Sequence, residues 1–408
     1  MGYSEHGLNR NGRRPTSRLQ PSTKVEVIGI EVTQVIQNMK HEVRLFEGKA
    51  TVVRVYIDPK SFKRNTRVRG ELVVATRPGA PGRYISSTNE ILLRSSQHPA
   101  LAEQRRDATL SLNFLIPEPP SGPMHLQLKR LLVVSSGEDV PILDAGNSVG
   151  VDFVPGPVLR IRVLGIRYTD MRFAAPNKHA PDVSHFDHLR SFLIRSYPVS
   201  RVEWSQSVID SPPNFVPPFS AALPDGSDPL WGALLQMLHQ QILSIRQADV
   251  DAGWDPRTHY YGLVANDSGF FRGAANLVPS TPAPNTVAVG PCGRPAEGNW
   301  DWDKDGSFAD WYAAHELAHT FGRNHPGFCN DQEAFDPHYP HADGKISNKA
   351  EDCIGFDVGD TSLSIPMQAC PLERWADFMT YCDWQWISKH TYDGLHQRLV
   401  DEEQLFRP

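Results

Sequence analysis

Between residues 24 and 150, apolar and polar positions alternate in short runs separated by glycine, proline and asparagine. VEVIGIEVTQVI, KATVVRVYID, RVRGELVVAT, YISSTNEILL, ATLSLNFLI and MHLQLKRLLVV are rich in β-branched residues. A period of two, bounded by turn residues, predicts strands. No helical stretch intervenes, so an all-β, antiparallel sandwich of the immunoglobulin-like kind is expected over 23–154. This stretch holds no cysteine and no clustered histidines or carboxylates, so its expected role is recognition or spacing. FVPGP, Phe153 to Pro157, reads as a domain boundary.

Beyond it the period changes. VLRIRVLGIRY (158–168) and VSRVEWSQSVI (199–209) read as strands, and HFDHLRSFLIRSY (185–197) puts Phe186, Leu189, Phe192 and Leu193 on one side of a helix. A proline-rich loop at 211–226 precedes a long amphipathic helix over 228–248, opened by Asp228 as N-cap and Pro229 at its first position. HYYGLVAN (259–266), GFFRGAAN (269–276) and NTVAVG (285–290) read as further strands. Strands alternating with helices predict an α/β (α+β) unit with a partly parallel sheet over 158–408.

The chain has 408 residues, 40% apolar and 22% charged, with a net charge of -6. A globular protein of about two domains fits that size. No basic excess points to nucleic acid, and no run of about 18 apolar residues exists to span a membrane. Residues 1–22 are polar and basic without an apolar core, which reads as a flexible arm rather than a secretory signal. All five cysteines follow residue 290, at Cys292, Cys329, Cys353, Cys370 and Cys382. Clustering suggests local disulfides and an oxidising compartment; the other reading is five reduced thiols in a cytoplasmic protein. The odd count leaves at least one thiol over. Nothing in the pattern fixes an oligomeric state.

Residues 315–325 read HELAHTFGRNH. His315 and His319, four apart on a helix, project from one face and can share a metal. FADWYAAHELAHTF supplies the helix, with Phe308, Trp311, Ala314, Leu317, Ala318 and Phe321 spaced for burial. Gly322 can end it in a left-handed conformation, turning the chain so that His325 reaches the same metal. Three protein ligands leave the open position of a catalytic zinc site. Glu316, beside the first ligand, is placed to act as general base.

This eleven-residue motif resembles the hallmark of the metzincin family of zinc proteases. The resemblance implies a zinc-dependent endopeptidase with a protein or peptide substrate, secreted, with an upper subdomain over 158–325 and a lower one over 326–408. It also implies a Met-turn downstream, matched by DFMTYC with Met379. In two branches of the family a tyrosine two residues after that methionine ligates zinc and swings to stabilise the oxyanion; Tyr381 stands at that offset. An antiparallel edge strand that pairs with extended substrate is implied as well, and GFFRGAAN stands at about the right interval before the zinc helix.

Other candidates are less specific. Asp301, Asp303 and Asp305 alternate before Gly306 like the first half of a calcium loop, but Tyr312 fills the position where such a loop carries Glu. A calcium site, with Asp310 as a substitute ligand, stands against a solvated acidic turn in which Asp305 or Ser307 caps the helix. PCGRP around Cys292 is similar to the cysteine switch of some matrix metalloproteases, though a disulfide suits its position better. Cys329 and Cys382 flank the motif and the Met-turn, and a bridge between them, or from one to Cys353, would clamp the lower subdomain. His338, His341 and His390 have no ligand spacing. Two other function classes remain open: a catalytically silent zinc-binding adhesin or scaffold, and a protease directed to glycoproteins through the sandwich.

Overall fold

The structure, a computed structural model, describes residues 24–60, 62–143, 145–170, 177–215, 229–265, 272–298, 300–329, 336–349 and 352–405. The arm over 1–22 and the Asp228 cap lie outside the described residues.

The first strands are β1 (Lys24–Thr33), β2 (Ile36–Gln37), β3 (Leu45–Phe46), β4 (Thr51–Lys60), β5 (Thr66–Ala75), β6 (Arg83–Ser86), β7 (Ile91–Leu93), β8 (Leu112–Ile116), β9 (Gly122–Val133) and β10 (Ser148–Val154). A short helix, α1 (Leu101–Arg106), precedes β8. One sheet runs β1-β4-β8, and another runs β3-β10-β9-β5-β6 with β7 also on β5. In β5, Val68, Leu72 and Val74 are buried while Arg67 and Arg69 are exposed, the period of two that puts one face inward. Val27, Val53, Leu72, Phe114 and Leu126 from the two sheets share one core. Two pairings among the described residues depart from the antiparallel expectation: Phe153 of β10 lies parallel to Leu45 of β3, and Val25 forms an isolated parallel bridge with Ile142. A long connection separates these strands, so no hairpin dictates their direction.

The second half contains β11 (Val158–Asp170), β12 (Asn177–His179), α2 (Val183–Ser196), β13 (Arg201–Asp210), α3 (Pro229–Asp251), β14 (His259–Ala265), β15 (Ala274–Ala275), β16 (Val287–Cys292) and α4 (Ala309–Thr320). It continues with β17 (Ile354–Asp357), β18 (Gln368–Cys370), β19 (Ala376–Asp377), β20 (Gln385–Trp386) and α5 (Lys389–Leu405). Strands β13, β11, β14 and β16 run parallel, and β15 pairs antiparallel on the β16 edge. Of the stretch 269–276, residues 269–271 lie outside the described residues. Every residue of β14 and β16 is buried, as expected of central parallel strands covered on both faces. Alternation along β14 assigns the layers. Gly262 faces Ile242 of α3, while Tyr261 lies against Gly290, which faces Tyr312 of α4. α2 and α4 therefore share one face, since Gly165, paired with Leu263, meets Phe186 of α2.

The sandwich is joined to this second half by more than a linker. β2 pairs with β17, making a three-stranded sheet β18-β17-β2. Val35, Ile36, Val43 and Phe46 are buried in the core of the second half. Trp386 Nε1 donates to the Val35 carbonyl at 2.9 Å. Lys49 donates to the carbonyl of Ile194 in α2, and burial pushes its amine down to about 7. Among the described residues, no helix is long and apolar enough to cross a membrane.

Candidate metal centre

Every residue of α4 except Tyr312 is buried. A helix buried on all sides suits an interior position, but polar side chains on it carry a desolvation cost unless they find partners. His315, Glu316 and His319 are such side chains, only 6%, 5% and 8% exposed. Phe308 stands at the N-cap without a side-chain cap, and the Ser307 hydroxyl just before it accepts from the Ala309 N–H at 3.2 Å. At the other end Gly322 takes φ +77. The Gly322 N–H donates to the His319 carbonyl at 2.8 Å and the Arg323 N–H to the Ala318 carbonyl at 3.0 Å. This is the paired closure of a Schellman motif, and it reverses the chain so that His325 comes back beside the helix.

The three imidazoles converge. His315 Nε2 lies 3.0 Å from His325 Nε2 and 3.2 Å from His319 Nε2, and His319 Nε2 lies 2.9 Å from His325 Nε2. His315 Nδ1 is 2.7 Å from the Phe378 carbonyl, and His319 Nδ1 is 2.7 Å from the Arg323 carbonyl. A carbonyl only accepts, so each Nδ1 carries the proton and each of these Nε2 atoms presents a lone pair. Lone pairs facing one another in a buried site repel unless a cation lies between them. Nitrogens about 2.0–2.1 Å from a tetrahedral zinc stand roughly 3.3 Å apart, close to the separations found. Burial, reinforced by the neighbouring imidazoles, pushes His319 down to about 4 and His315 well below its ordinary value. Both are therefore neutral at neutral pH, the state a metal requires. The donor set fits zinc.

Glu316 lies beneath the edge strand. A Cβ at Gly273, the residue before β15, would stand 2.5 Å from Glu316 Oε1 and 2.6 Å from Tyr312 Cε1. The Gly273 N–H donates to the Tyr312 hydroxyl at 3.1 Å. Tyr312 is one turn ahead of Glu316, so one face of α4 holds both the carboxylate and the group that ties down the strand above it.

The turn of DFMTYC, Asp377 to Cys382, lies on the other side. Asp377 is fully buried; its carboxylate accepts from the Met379 N–H at 2.8 Å and the Ser388 N–H at 2.9 Å. These bonds fold the turn so that the Phe378 carbonyl meets His315. Met379 is buried in the surrounding core. Tyr381, 50% exposed, places its ring centroid 4.9 Å from that of His325 and 6.0 Å from that of His315. Cys329 and Cys382 form a disulfide that ties the segment after His325 to this turn. Cys292, Cys353 and Cys370 are buried, and burial pushes the Cys353 thiol up to about 12.

No family model, curated protein or solved structure matches the chain. The functional reading rests on these side chains.

The acidic residues gather differently from the alternation in the sequence. Carboxylates of Asp303, Asp305 and Asp310 approach within 4.8 Å of one another, and Asp301 is exposed outside the group. The loop turns after Asp301, with the Asp305 N–H on Asp303 Oδ1 at 3.2 Å, so the third carboxylate comes from the first turn of α4. Burial, then the charge of Asp305, raises Asp303 to about 7; burial and the same neighbouring charge hold Asp310 well above its ordinary value. Sequence reasoning missed Asp377, Tyr312, Gly273 and the carbonyl of Arg323. Only Asp377 had a local signal, as an aspartate opening a tight turn.

Proposed function

We propose that the chain is a zinc-dependent endopeptidase. The observation that carries this reading is the convergence of three Nε2 atoms, two with Nδ1 committed to carbonyls, on the helix that also carries Glu316. His315, His319 and His325 would hold zinc, which when bound would supply Lewis acidity toward a water molecule and a carbonyl. Glu316 is placed to accept a proton from water and return it to the leaving amine. Tyr381, beside His325, offers its phenol to the oxyanion. β15, antiparallel at the sheet edge and tied to α4 through Gly273, offers backbone groups to an extended peptide. A metal-binding scaffold has no use for a carboxylate packed beneath an open strand edge. The Cys329–Cys382 bridge supports an oxidising, extracellular compartment.

The test is mass spectrometry of new termini in a complex protein mixture treated with the wild-type chain or with Glu316→Ala. New termini from the wild type alone, abolished by a zinc chelator, are expected. Equal outcomes with zinc bound to both proteins would overturn the enzyme reading.

A further inference from the structure

We infer that the C-terminal helix α5 is a brace for the metal ligands, acting through Arg323 and Asp336. This rests on the metal-binding part of the reading above, and not on proteolysis. The carbonyl of Arg323 holds His319 Nδ1 at 2.7 Å. The guanidinium of the same residue is paired with Asp336, its Nη2 lying 3.1 Å from Oδ2. His390 Nε2 lies 2.7 Å from both Arg323 Nη2 and Asp336 Oδ2 and serves one of them at a time: with its proton it donates to the carboxylate, without it it accepts from the guanidinium. The Asp336 backbone N–H donates to the His325 carbonyl at 2.5 Å. One aspartate therefore connects to two of the three ligand residues, to His319 through Arg323 and to His325 directly.

The face of α5 that makes these contacts is a stripe of every fourth residue: His390, Gly394, Arg398 and Glu402. That spacing lines up side chains on one side of a helix. Gly394 makes room for Arg323, since a Cβ there would stand 2.2 Å from Arg323 Nη1. Arg398 Nη2 donates to the Pro279 carbonyl at 3.0 Å and packs against Gly322, whose Cβ it would meet at 2.4 Å. Glu402 Oε2 lies 2.9 Å from His259 Nε2, and His259 Nδ1 lies 3.1 Å from the Thr320 hydroxyl on the last turn of α4. The stripe thus grips the end of the zinc helix, its closing glycine and the residue whose carbonyl orients His319. Groups that hold the outer nitrogen of a ligand histidine fix its tautomer and direction, and their loss costs about 10–100-fold in metal affinity. Asp336, Arg323 and His390 are positioning residues in this sense.

The sharpest variant is Gly394→Ala. Alanine favours a helix over glycine, so the substitution leaves α5 at least as helical. The added methyl displaces a flexible guanidinium from its place between Asp336 and His390. The full chain, wild type or variant, is stripped of metal and titrated with zinc against a competing chelator, and with cobalt while its visible absorption reads the ligand geometry. Gly394→Ala and Asp336→Ala are expected to weaken zinc by roughly tenfold or more and to alter the cobalt spectrum. His390→Gln, which keeps a donor and an acceptor, is expected to retain more affinity than His390→Ala. Lys389→Ala, on the same helix but paired with Asp393, serves as the control and is expected to match the wild type. Unchanged zinc affinity and cobalt spectra across Gly394→Ala and Asp336→Ala would overturn the brace. Failure of the wild type to bind zinc would overturn both readings. Normal zinc binding by a protein that cleaves nothing would remove the protease and leave the brace standing.

Discussion

Gly273→Ala tests whether the edge strand sets the position of Glu316, the proposed general base. The backbone of Gly273 is not in the left-handed region, so alanine adds a methyl without backbone strain. That methyl would stand 2.5 Å from Glu316 Oε1, about 0.9 Å short of ordinary contact at 3.4 Å. It would also press on the Tyr312 ring at 2.6 Å. Tyr312 is packed among Trp300, Phe308 and Trp311 and has little room to withdraw. The carboxylate is the part most able to yield. A displacement near 1 Å in a catalytic group costs about 100-fold in rate, equivalent to ~2.7 kcal/mol of barrier. The assay is steady-state cleavage of a peptide that the wild type cuts, with zinc content measured on the same samples. We expect kcat to fall by about two orders of magnitude, with KM and bound zinc near wild-type values. A normal kcat with a raised KM would show that the strand gave way instead, and the reasoning would be refuted.

The remaining predictions concern stability. The Cys329–Cys382 bridge closes a loop of 53 residues, for which chain entropy alone gives about 4 kcal/mol; the double serine variant should lose a large part of that in urea unfolding, and a loss below about 1 kcal/mol would contradict the estimate. Burial raises Asp303 to about 7, so the folded chain keeps a proton there that the unfolded chain releases near the ordinary carboxylate value. That contribution is whole below about pH 4 and is gone once the pH has risen past about 7. The stability difference between wild type and Asp303→Asn should therefore shrink or change sign from pH 5 to pH 8, and a pH-independent difference would count against it. We also propose a cation for the Asp303–Asp305–Asp310 group, and at pH 8 calcium should raise the melting temperature of the wild type but not of the variant. Ile36→Ala should cost about 2–4 kcal/mol and lower one cooperative calorimetric transition; two separate transitions would show that the sandwich melts independently.

Contiguous features were the legible ones. Helical spacing places His315 and His319 together, and Gly322 announces the reversal that returns His325, because each step needs only neighbours in the chain. Alternation announces β1, β4, β5 and β9 for the same reason. What escaped was relational. The acceptors that fix two ligand tautomers are the carbonyls of Phe378 and Arg323, and a carbonyl leaves no mark on residue identity. Gly273 reads as one more residue of the expected edge strand until Glu316 is seen against it. Asp301, Asp303 and Asp305 share a rhythm, but the helix start supplies Asp310 in place of Asp301. The stripe at His390, Gly394, Arg398 and Glu402 has a readable period, yet period alone does not say what it grips. β2 is two residues long, too short for any pattern, and it is the strand that joins the two halves.

That junction changes what the N-terminal region is for. The Val35 carbonyl accepts from Trp386 Nε1 at 2.9 Å and from the Phe356 N–H at 2.7 Å. Trp386 belongs to β20, whose partner β19 ends at Asp377. The Trp386 carbonyl receives the Phe378 N–H at 2.6 Å, and the Phe378 carbonyl holds His315 Nδ1 at 2.7 Å. Three hydrogen bonds therefore run from a residue between β1 and β2 to His315, the first proposed metal ligand, through buried groups that have little freedom to shift separately. Ile36 and Phe46, packed into the same core as Met379 and Phe378, close the remaining space around that path. A module that served only to recognise substrate would need no such path. Truncation at the FVPGP boundary would remove β2 from its sheet and expose the edge of β17, so loss of activity in a truncated chain would report on the support of His315 before it reported on recognition.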